Sequence, residues 1–101
     1  MLETLHLSVF REQLQSQFQV DLGSAEPVTL QLTQAADLGS TPRQERFSVV
    51  FRGPLDPYLD QRMYPIEHAA LGKFDLFLVP IAREPEGFLY EAVFNRLVDQ
   101  K

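Results

Sequence analysis

Two histidines, His6 and His68, are the only imidazoles in this chain of 101 residues, and there is no cysteine. Candidates for nucleophile, base or metal ligand are therefore few. Glu67 precedes His68 directly, but neighbouring residues of a strand point to opposite faces, so the two cannot serve one substrate on a regular strand. His68 reads instead as a group that closes one end of the core by bonding a turn carbonyl. A zinc-type site needs three or four converging donors, and no short-spaced donor pair accompanies His68; neither metal nor cofactor is expected. His6 lies ahead of a short helical segment and carries no functional reading. Asp56 and Asp60 flank Tyr58 in a loop. Paired carboxylates are what glycoside hydrolysis uses, and oxygen-rich loops hold Ca²⁺. Here the further oxygen ligands are missing, and Pro54 and Pro57 describe a rigid turn. No G-x-S-x-G elbow, H-E-x-x-H helix or phosphate-binding loop is present.

The elements that must position these residues follow a period of two. Phe18, Val20 and Leu22 alternate with polar residues, as do Val28, Leu30 and Leu32 after the break at Gly23–Pro27, which predicts a hairpin. Residues 35–43 read as a loop. Phe47, Val49 and Phe51 share a face until Gly53-Pro54 ends the strand. Tyr64, Ile66 and His68 form the next face, Phe74, Leu76 and Leu78 continue inward until Pro80, and Phe88, Tyr90, Ala92 and Phe94 complete the set. Only the N-terminus reads as helical, with Ser8 as its cap and Phe10 and Leu14 on one face. The fold class is mainly β: a small antiparallel six-stranded barrel or sandwich with one short N-terminal helix, spanning residues 1–101 as a single domain.

Composition narrows the function. Nine basic against fourteen acidic side chains leave a net charge of −5, and no basic face of the kind that binds polyphosphate forms. No apolar run is long enough to span a membrane, and the start lacks the basic and apolar regions of a signal peptide. No nucleic acid, no membrane and a cytoplasmic location are the expectations.

One strand breaks the alternation. Phe77 and Val79 point opposite to Phe74, Leu76 and Leu78, and Val50, Leu89 and Val93 add to the same outer side. Large exposed apolar areas are rare on monomers, so either the N-terminal helix, through Phe10 and Leu14, or a protein partner or second copy of the chain must cover this strip. The favoured reading is a non-enzymatic interaction module docking through Phe77, Val79, Val50, Leu89 and Val93. The alternative is a small-ligand or enzymatic site at a barrel end lined by Tyr64, His68, Tyr58 and Asp56, with His68 as general base. Arg52 and Glu91, both outward, are expected to pair across the sheet, the alternative being a share in a recognition surface.

The strings Phe47-Ser48-Val49-Val50-Phe51-Arg52-Gly53-Pro54, Glu67-His68-Ala69-Ala70-Leu71-Gly72, Leu76-Phe77-Leu78-Val79-Pro80 and Tyr90-Glu91-Ala92-Val93-Phe94-Asn95 occur in this order. Together they resemble a family of small bacterial domains of unknown function, over nearly the whole chain. Ala69 stands where that family's pattern has proline. The resemblance implies no activity and no catalytic residues. It does imply neighbours with a phage tail-collar domain, which form trimeric fibre-like assemblies, and hence an accessory or assembly role.

Overall fold

Strand formation here is driven by alternating apolar side chains that have only one place to go. In the computed structural model of the protein, which describes residues 5–23 and 26–97, Phe47, Val49 and Phe51 are fully buried within one closed layer. A short helix, α1 (Leu7–Glu12), precedes six strands: β1 (Gln17–Val20), β2 (Val28–Asp37), β3 (Gln44–Gly53), β4 (Arg62–His68), β5 (Gly72–Glu84) and β6 (Gly87–Leu97). All pairings are antiparallel.

The strand order β1-β2-β3-β6-β5-β4 closes into a barrel, with β4 returning to β1. Closure decides between the two architectures the sequence leaves open, and it removes the unpaired sheet edges that would invite aggregation. The ring consists of two meanders, β1–β2–β3 and β4–β5–β6, joined along two seams. The β3–β6 seam runs ten residue pairs, from Gln44↔Leu97 to Gly53↔Phe88. The β4–β1 seam has only two, Gln19↔Glu67 and Val20↔Ile66.

Both ends are filled. At one end α1 drives Phe10 into an aromatic nest, 5.4 Å from Phe94, 5.9 Å from Phe47 and 6.4 Å from Phe18 between ring centroids. At the other, the β3–β4 connection folds Leu59 inward, 2% exposed, and its N–H donates to the Tyr90 hydroxyl at 2.9 Å. The Tyr64 hydroxyl donates to the Asp60 carbonyl at 2.7 Å. Gly87 is required here: a Cβ at this position would lie 1.9 Å from the Gly53 carbonyl oxygen, so the β5–β6 turn can approach β3 only as bare backbone.

Several boundaries differ from the sequence expectation, each for a physical reason. Residues 35–37 belong to β2 rather than to a loop, because Ala35, Ala36 and Asp37 pair with Val49, Ser48 and Phe47; tertiary pairing overrides weak strand propensity. A bulge between Leu32 and Gln34 shifts the alternation by one. Gln34 therefore turns outward while Ala35 packs against the core. Pro80 does not end β5, which continues to Glu84 through a second bulge between Pro80 and Ala82, the position where a missing ladder donor is tolerated. β1 ends at Val20, leaving Leu22 outside it. Ser8 lies inside α1, whose N-cap is His6 without a side-chain cap bond. The helix stops at Glu12, so Leu14 lies beyond it and is 39% exposed.

Candidate interaction surface

The residues with chemical potential do not converge. His68 sits at the β4 terminus, 5% exposed, against the Phe18 ring with centroids 4.3 Å apart. Its Nδ1 accepts the N–H groups of Ala70 at 3.0 Å and Leu71 at 3.1 Å, so this nitrogen carries no proton. Nε2 then bears it and donates to Ser16 Oγ at 2.9 Å, while the Ser16 hydroxyl donates to the Gln13 carbonyl at 2.6 Å. Burial pushes the His68 pKa down. His68 thus bonds turn amides, not a turn carbonyl as expected.

The Ser16–His68 pair, 52 residues apart in sequence, has the composition of a nucleophile and its base but reversed polarity. In such a dyad the serine O–H donates to imidazole, and the other ring nitrogen donates to a carboxylate. Here serine accepts and the other nitrogen is saturated by backbone donors, so no lone pair is available to take a proton. Sequence reasoning missed this pairing because Ser16 lies in an irregular segment without a motif.

The remaining members of the alternative ligand set stand apart from His68. Tyr64 spends its hydroxyl on Asp60, Tyr58 lies edge-on to Phe88 with centroids 4.9 Å apart, and Asp56 is exposed in the loop. Burial raises the pKa values of Tyr64 and Tyr90. A depression of about 560 Å³ does open beside His68, lined by Ser16 and His68 themselves together with Gln13, Gln17, Gln19, Glu67, Ala69 and Ala70, but both His68 nitrogens are already hydrogen-bonded. Among the described residues, no three His, Asp or Glu side chains group as a metal site would require.

A charged cluster invisible to sequence periodicity fastens the helix end. Glu45 on β3 accepts from the Leu7 N–H at 3.2 Å, lies 3.0 Å from His6 Nδ1, and accepts from Arg96 Nη2 at 3.1 Å. Arg96, on β6, also donates to the Leu5 carbonyl. Glu45 does the work assigned to Ser8, satisfying a free helical N–H from another element. Burial alone would raise its pKa, but the bonds from His6, Leu7 and Arg96 hold it below the usual value. His6, expected to carry no role, is one of its partners.

The outer strip remains uncovered. Helix α1 plugs the barrel end with Phe10, which meets β6 from inside the barrel through the buried Phe94, and packs against β2. Phe77 is 46% exposed and Val93 59%; Val79 and Leu89 are half-buried. Met63, directly opposite Phe77 on β4, widens the strip and is 57% exposed. Val50 departs from expectation: it faces outward but is buried, outside the core cluster, flanked by Gln34 and Glu91 on the neighbouring strands. It supports the strip rather than presenting surface.

The expected Arg52–Glu91 pair is absent. Register sets Arg52 opposite Leu89 and Glu91 opposite Val50, and the Arg52 guanidinium donates to Gln31 Oε1 at 3.0 Å on the far side of β3.

One family, described as a domain of unknown function, DUF6916, matches residues 5–94. The chain belongs to the DUF6916 family. The match takes in α1, the closed ring and the outer strip, so the DUF6916 domain is this whole assembly apart from its termini. No curated protein and no solved structure matches it. Among the described residues no helix is long and apolar enough to cross a membrane.

Proposed function

We propose that this DUF6916 domain is a non-enzymatic docking module that seats another protein on the outward face of β4, β5 and β6. The observation that carries this reading is the exposure of Phe77 and Val93, beside Met63, on a face that α1 leaves bare. Apolar patches of a few hundred Å² on a monomer are often functional. A closed ring also lacks the sheet edges through which β domains commonly add a partner strand, so side chains on the face must carry recognition. The saturated nitrogens of His68 favour docking over catalysis. Fibre-type collar proteins, the neighbours implied by the sequence resemblance, are the first partner class to test.

The experiment compares tagged wild-type protein with a Phe77→Asp, Val93→Asp double variant, both verified by circular dichroism and thermal melting. Captured host proteins are quantified by mass spectrometry. A folded variant that loses the stoichiometric partner supports docking through this face. Equal capture by both proteins overturns it.

A further inference from the structure

The carboxylate of Glu91 stands in the middle of the apolar strip. It is half-buried on the outward side of β6, opposite Val50 of β3 and Val79 of β5, with Leu89 and Val93 two residues away on either side along its own strand. These four aliphatic neighbours limit its hydration. No hydrogen bond or ion pair reaches it from any described residue, and the partner expected from the sequence, Arg52, is committed to Gln31. A carboxylate in such surroundings gains from a cation that arrives with its own apolar flanks.

We infer that the partner presents an apolar segment carrying an arginine or lysine, and that Glu91 receives this cation while Phe77, Val79, Leu89 and Val93 receive its apolar flanks. The inference rests on the docking reading above and adds the chemistry of the occupant. Charge argues against a second copy as that occupant. A two-fold interface centred on the strip brings the same patch to both sides and sets Glu91 against its own equivalent, between chains of net charge −5 each. Like charges juxtaposed across an interface oppose association. A basic partner meets the opposite sign.

Three acetylated, amidated nonapeptides of sequence Gly-Ser-Leu-Val-Xaa-Val-Leu-Ser-Gly, with Xaa as Arg, Gln or Glu, provide the probe. Each is titrated into ¹⁵N-labelled full-length protein while amide shifts are followed. The Arg peptide should shift signals of Phe77, Val79 and residues 89–93, and bind about tenfold more tightly than the Glu peptide, an advantage that shrinks with added salt. Glu91→Gln should erase that advantage. Binding of all three peptides with equal affinity, or an Arg preference that survives Glu91→Gln, overturns the role of Glu91 but leaves the docking face standing. Failure of all three to shift the strip overturns both. Sedimentation of the protein alone adds one further arm: a dimer that Glu91→Gln strengthens gives the face to a second copy and overturns the basic partner.

Discussion

His68 Nε2 donates to Ser16 Oγ at 2.9 Å across 52 residues of sequence, just beyond the two-pair seam where β4 closes on β1. The bond extends a short backbone seam with a side-chain one, and the Phe18 ring lies at a 42° tilt against the imidazole with centroids 4.3 Å apart. Protonation would leave this bond in place but turn Nδ1 from acceptor to donor against the Ala70 and Leu71 amides, so it is the β4–β5 turn beside the seam that depends on the imidazole staying neutral.

His68→Ala should destabilise the fold by about 2–3 kcal/mol, since it leaves the Ala70 and Leu71 amides without their acceptor and removes the donor to Ser16 Oγ as well as a buried ring. A pH signature accompanies it. The folded pKa of His68 lies below the ordinary value, so the unfolded chain binds more protons once pH falls below about 6.5. Stability from this group is complete above that pH and declines as pH drops toward the folded pKa. Urea titrations at pH 7.5 and 5.5 should show wild-type protein losing stability at the lower pH. The His68→Ala variant should lose less between the two.

Glu45→Gln should cost about 1–2 kcal/mol, because Arg96 and the Leu7 N–H then share a neutral acceptor. Its depressed pKa makes its contribution complete above the usual carboxylate range and lost as pH falls through the folded value. This window lies below that of His68. Amide hydrogen exchange should show protection lost first in residues 7–12.

Phe10→Ala should destabilise the protein by about 3–4 kcal/mol, given a fully buried ring in contact with three other aromatics. Leu14→Ala, outside the helix and exposed, should stay within about 0.5 kcal/mol. Similar losses at both positions, measured by chemical denaturation, would place Leu14 in the core and contradict the plug.

Gly87→Ala should cost at least about 3 kcal/mol, since its Cβ cannot coexist with the Gly53 carbonyl 1.9 Å away without moving the β5–β6 turn. Gly39→Ala is the contrast. It meets open space, and its penalty arises only from a positive φ of 106°, near 1 kcal/mol. Thermal melts of the two variants test that order.

Strand identity was legible because alternation needs only local composition. Phe47, Val49 and Phe51, like Tyr90, Ala92 and Phe94, could be assigned to the inside from their spacing alone, and all are buried. The two-sided strand at Phe77 and Val79 was legible for the same reason. Tertiary structure decided what depends on register and closure. One residue of bulge after Leu32 moved Gln34 out and brought Ala35 in, and the return of β4 to β1 made the sheet a ring. Periodicity cannot foresee that Glu45 and Arg96, or Ser16 and His68, meet from distant segments, because polar pairing over such separations leaves no local pattern. The same holds for Glu91. Its outward direction follows from its place beside Tyr90 and Ala92, but its isolation among Val50, Val79, Leu89 and Val93 arises only when three strands come into register around it.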